Sequence, residues 1–176
     1  MGLSAGAIYI SEPGVAYTVA MRVGLLDAGS TAVEHTGQGF DMQDGVRLGV
    51  AGGQWSVILA SPDALLPLMD EMSRLLTEES KGRRVLLWYT QSASGGAMFE
   101  VHEDGALKRR WVEAEGQVFE DVGEPVPEEA GLVDRENHEG GPLHSEWTLL
   151  ELAAKITGIT VDQHFEMNGP VYAAAP

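Results

Sequence analysis

Histidine and carboxylate are the residue types with which this chain could do chemistry near neutral pH, and their spacing assembles no site. The five histidines stand at positions 35, 102, 138, 144 and 164. A metalloprotease helix sets two histidines four apart around a glutamate, and no pair here has that or another tight ligand spacing. His138 and His144 share a segment with Asp134, Glu136 and Glu139. This is the nearest approach to a metal loop, and the segment reads instead as solvated. Gly49, Gly52 and Gly53 make no phosphate loop, no Gly-x-Gly-x-x-Gly opens a helix, and no Gly-x-Ser-x-Gly elbow is present. Ser92, Ser94 and Gly95-Gly96 fit hairpin-turn chemistry. With 27 acids, carboxylate pairs are unavoidable, so no pair points specifically to acid–base catalysis. The chain has no cysteine, which removes thiolate catalysis, disulfides and cysteine-bound metals. The expectation is no metal, no cofactor and no catalytic residue.

The distribution of charge says more than the motifs. The formal net charge is −16 over 176 residues, and nine of those excess charges fall between residues 113 and 139. Glu113, Glu115, Glu120, Asp121, Glu124, Glu128, Glu129, Asp134, Glu136 and Glu139 lie there, opposed only by Arg135. A merely soluble surface mixes its charges. The concentration predicts a docking face for a basic protein, since opposite fields steer association. The plainer reading is a solvated acidic loop, and Lys108-Arg109-Arg110 folding back on the acids would weaken the docking face. So negative a chain is a poor match for nucleic acid or an anionic membrane, which demand clustered Lys and Arg.

The elements that must carry these residues follow from periodicity and turn residues. Residues 7–10 and 15–23 read as strands around Glu12-Pro13-Gly14, and 27–45 as a loop with a short pairing segment near Phe40. Residues 46–51 and 54–60 flank Gly52-Gly53 as a hairpin. Ser61-Pro62 opens a helix to about residue 80, with Leu65, Leu68, Met69, Met72, Leu75 and Leu76 as its apolar stripe. Pro67 forces an irregular first turn there. Strands at 84–91, 97–103, 106–113 and 117–122 form a meander in which Asp104-Gly105 is the clearest hairpin signal. Residues 123–144 read as a long loop. Ser145 caps a helix to Thr157, Ile159–Val161 is extended, and the tail from about 170 to 176 frays. Trp55, Trp88, Trp111 and Trp147 all fall in regular segments and are expected in the core. The sum is one α+β domain over residues 1–176, with a largely antiparallel sheet and two principal helices.

The run from Gly105 to Gly116, with Lys108-Arg109-Arg110-Trp111 at its centre, leads to Gly123-Glu124-Pro125, then Ser145-Glu146-Trp147, then Gly158-Ile159-Thr160-Val161-Asp162. This succession resembles bacterial immunity proteins of polymorphic and type VI-secreted toxins. The likeness covers the C-terminal half of the chain, about its last 80 residues. It implies a stoichiometric protein–protein inhibitor of a cognate toxin. The opening residues carry no early Lys or Arg and no apolar run of a signal peptide, and no stretch reaches the roughly 18 apolar residues of a membrane span. Both suit a cytoplasmic protein facing a cytoplasm-acting nuclease. A small enzyme built from distant residues and an adaptor subunit of a larger assembly are the competing readings.

Overall fold

Three consecutive segments, Ala5–Ile10, Val57–Ala60 and Val85–Tyr89, are apolar on both faces of the strand. Such runs must be covered from both sides, and that requirement sets the architecture. The computed structural model describes residues 4–35, 37–41, 45–51, 53–91, 95–115, 117–132 and 146–175. Its strands are β1 (Ser4–Ile10), β2 (Ala32–Val33), β3 (Gly45–Ala51), β4 (Trp55–Ala60), β5 (Arg84–Gln91), β6 (Gly96–Glu103), β7 (Ala106–Ala114), β8 (Gln117–Val122) and β9 (Val171–Ala173). They form a single antiparallel sheet in the order β2-β9-β3-β4-β1-β5-β6-β7-β8.

Helices pack on both faces of this sheet. On one face Ile8, Ile58, Val85 and Leu87 meet Val19 of α1 (Ala16–Arg22), Leu65 of α2 (Pro62–Leu65), and Met72 and Leu76 of α3 (Met69–Glu79). On the other, Tyr9, Leu59, Trp88, Phe99 and Trp111 meet Leu149, Leu150 and Leu152 of α4 (Glu146–Thr157). The short α5 (Val161–Phe165) follows α4.

The α+β class, the antiparallel sheet and the two principal helices stand as expected. Pro67 sits in a 3₁₀ turn, Leu66–Leu68, which absorbs its missing N–H between α2 and α3. The two-residue hairpin between β6 and β7 places Asp104 and Gly105 both at positive φ, as a type I′ turn demands.

Four expectations are corrected. Residues 16–22 are helical: Ala16, Val19, Ala20 and Val23 repeat at helical spacing and are buried, a period that outweighs the β-branched composition. Val161 opens α5 where an extended piece was expected, because Thr160 and Gln163 form a reciprocal capping box. The tail holds a strand, since β9 bonds to β3 and β2. Trp147 is 56% exposed. Leu149, Leu152, Ala153 and Ile156 form the inward stripe of α4, and Trp147 lies about 200° from Leu149 around the helix. Trp88 and Trp111 are buried and Trp55 is half-buried. The expected Ser145 cap lies outside the described residues.

Candidate functional site

Strand alternation divides the basic run of β7 between the two sides of the sheet. Arg109, Trp111 and Glu113 are all buried and point to the α4 side, whereas Arg110 points to the α3 side. Each guanidinium then gathers the acids on its side.

On the α4 side Arg109 is 2% exposed. Its Nε donates to Glu129 Oε1 at 2.9 Å and its Nη2 to Glu129 Oε2 at 3.3 Å, a two-point clamp. Nη1 donates to Asp121, and to the carbonyls of Val122 at 3.3 Å and Gly123 at 3.1 Å. The group also lies over the rings of Trp111 and Phe99, 5.4 and 5.9 Å from their centres. Burial alone would lower its pKa. Its bonds with Glu129 and Asp121 outweigh burial and hold it above the ordinary arginine value. Beside it Arg84 forms a second two-point pair with Glu128, at 2.6 and 3.1 Å, which holds that carboxyl below the usual carboxylate range. Trp111 Nε1 donates to Glu113 Oε2 at 2.8 Å. Gly123, at positive φ, ends β8 so close to the Lys108 carbonyl that a side chain there would collide with it.

On the α3 side a buried polar chain runs from helix to sheet edge. Thr77 Oγ1 is 3.0 Å from His102 Nδ1, and His102 Nε2 is 2.8 Å from Glu100 Oε2. Arg110 Nη1 donates to Glu100 Oε1 at 2.6 Å, and Arg110 also pairs with Glu120 at 2.8 Å. A hydroxyl, an imidazole and a carboxylate in this order have the chemistry of a hydrolytic triad. Here the imidazole and Glu100 are buried, and Thr77 Oγ1 also lies 2.8 Å from the Ser73 carbonyl. The surface grooves around Gly24 and Leu68, and around Tyr17 and Leu48, have no histidine in their walls. These bonds tie α3 to β6 and β7. Among the described residues no three His, Asp or Glu side chains converge as a metal site requires, and no helix is long and apolar enough to cross a membrane. The His138/His144 loop lies outside the described residues.

The acids of the anticipated docking face thus have distinct fates. Glu113, Glu120, Asp121, Glu128 and Glu129 are each bonded inside the chain. Glu115 and Glu124 are exposed. Asp134, Glu136 and Glu139 lie outside the described residues. Arg109 and Arg110 do fold back on the acids, yet three guanidiniums (Arg84, Arg109 and Arg110) serve five carboxylates, counting Glu100. The end of the sheet remains negative.

One feature of this end was missed in the sequence. All six residues of β8 are exposed. They include Phe119 at 66%, with Val118 and Val122 close to half. The signal available was position: 117–122 is the last strand that the turn residues mark before the Pro- and Gly-rich sequence from 123 onward.

The family described as "Family of unknown function (DUF6928)" matches residues 43–156, more than half of the chain. No curated protein and no solved structure matches.

Proposed function

We propose that this chain, which belongs to the DUF6928 family, is a protein-binding module whose partner is a basic protein docked at the β7–β8 end of the sheet. The observation that carries this reading is the negative charge left there after internal pairing: exposed Glu115 and Glu124 flank a strand whose own two acids share their two guanidiniums, Arg109 and Arg110, with Glu129 and Glu100. In the specific form we favour, the partner is a bacterial toxin, and the chain is its cytoplasmic immunity protein. That step comes from the resemblance of the segment 105–162 to immunity proteins. A nuclease is the toxin that best suits an acidic inhibitor, because a cleft that binds nucleic acid is cationic.

The test is co-expression of the chain with the products of its neighbouring genes in a heterologous bacterium. One product is expected to arrest growth alone, to be tolerated with the chain, and to co-purify with it in a 1:1 complex. Neighbours that do not arrest growth, together with a native complex lacking a basic protein, would remove the immunity reading.

A further inference from the structure

We propose that β8 takes its partner by strand addition: an extended, basic segment of the partner protein pairs with the open edge of β8 and continues the sheet. This rests on the binding reading above and specifies its contact. Every second residue of an edge strand directs its N–H and C=O away from its one neighbour. Among the described residues, no backbone group outside β7 bonds to the backbone of residues 117–121. The two ends of the sheet are treated differently. The other edge strand, β2, has only two residues, too short to template anything, whereas β8 has six. The exposed Val118, Phe119 and Val122 give β8 the apolar side chains that an added strand would cover.

Charge decides the occupant. Two copies joined through β8 in antiparallel register would set two acidic strands side by side, on molecules that each carry −16. The two acids point to opposite sides of the sheet, so a partner strand alternating apolar residues with Lys or Arg meets one of them with opposite charge and lays its apolar side chains on the other side, beside Val122 or Val118. Arg109 and Arg110 hold Asp121 and Glu120 from within the sheet, so the acids are presented in fixed positions.

The probe is a blocked peptide of sequence Val-Lys-Val-Arg-Val-Lys-Val-Arg. It is compared with two versions N-methylated on alternate amides, one for each edge, and with an acidic counterpart in which Glu replaces Lys and Arg. The readouts are amide hydrogen exchange along β8 and the dissociation constant at low salt. The basic peptide is expected to protect alternate amides within 117–122. N-methylation of its pairing edge is expected to weaken binding about tenfold, the scale of one or two lost hydrogen bonds. Phe119→Ser is expected to weaken it about fivefold with the melting transition unchanged. Equal binding of all three basic peptides would overturn strand addition while leaving a basic partner and the proposed function standing. Equal binding of the acidic peptide, protection confined to another strand, or no protection of β8 would also overturn it. A dimer that protects β8 without peptide would show that the occupant is a second copy and refute the basic strand.

Discussion

Replacing Arg109 by Met removes the guanidinium while keeping most of its aliphatic stem, and it tests what holds β8 and the 123–129 segment to the sheet. The loss can be worked contact by contact. The Glu129 clamp is the largest part, since Glu129 is only 12% exposed and is left without its cation. Removing one member of a buried pair costs about 3–5 kcal/mol. Asp121 is 55% exposed, so its share is screened to about 0–1 kcal/mol. The carbonyls of Val122 and Gly123 belong to exposed residues, so water replaces most of what they lose. The ring contacts contribute about 0.5–1 kcal/mol. Relaxation of Glu129 toward water offsets part of the total, which leaves an expected destabilisation of about 3–4 kcal/mol. The assay is urea unfolding followed by Trp fluorescence. Adding Glu129→Met in the same chain should recover about 1.5 kcal/mol or more, because the stranded carboxylate is then gone. A loss below about 1 kcal/mol for Arg109→Met, or no recovery in the double variant, would refute the view of Arg109 as the hub of this face.

Other consequences follow from single contacts. Tyr9→Phe takes away the acceptor of the buried Trp88 Nε1, 3.1 Å away, and should cost about 1–3 kcal/mol in the same unfolding assay. Trp111→Ala should cost about 3–5 kcal/mol as a core deletion, and a loss below about 1 kcal/mol would move Trp111 to a surface role. The His164 ring donates from Nδ1 to the Thr160 carbonyl, and its buried Nε2 has no partner among the described residues. Burial holds its folded pKa below the ordinary value of 6.5, so protons prefer the unfolded chain. Its contribution to stability should therefore be complete above pH 6.5 and shrink as pH falls below that. His164→Phe should flatten the stability difference between pH 7.5 and 5.5, and an unchanged difference would contradict the assignment.

Local signals made the meander readable and long-range pairing did not. Asp104-Gly105 could only be a tight turn, and the stripe from Leu65 to Leu76 could only be a helix, so β6, β7 and α3 were legible residue by residue. Residues 15–23 misled because Val15, Val19 and Val23 favour strands locally, while the packing of Ala16 and Ala20 against the sheet decides for a helix. Val171–Ala173 looked like a fraying end because its partners, β3 and β2, lie more than a hundred residues away. The acidic stretch was visible as composition. Its division into bonded and free carboxylates depends on which way Arg84, Arg109 and Arg110 point, and register sets that. Reversing Asp121 would set a second cation against buried Arg109, whereas Glu115 and Glu124 pair with no guanidinium of this face and can be reversed with little structural cost.

The most direct test of a basic partner at this end of the sheet is the association rate of the chain with the protein captured from its native cell. It is measured from about 0.1 M to 1 M salt, over which the Debye length falls from about 10 Å to about 3 Å. Three proteins are compared: wild type, Glu115→Lys with Glu124→Lys, and Glu34→Lys with Glu166→Lys. The second pair makes the same charge change on exposed residues beside β2 and after α5, toward the opposite edge. Wild type is expected to associate fastest at low salt, reversal near β8 to slow association about tenfold while reversal at the far edge does much less, and the three rates to converge at high salt. Equal slowing by both double variants would mean that only net charge matters, and unchanged rates for both would mean that the partner docks elsewhere; either result contradicts the account.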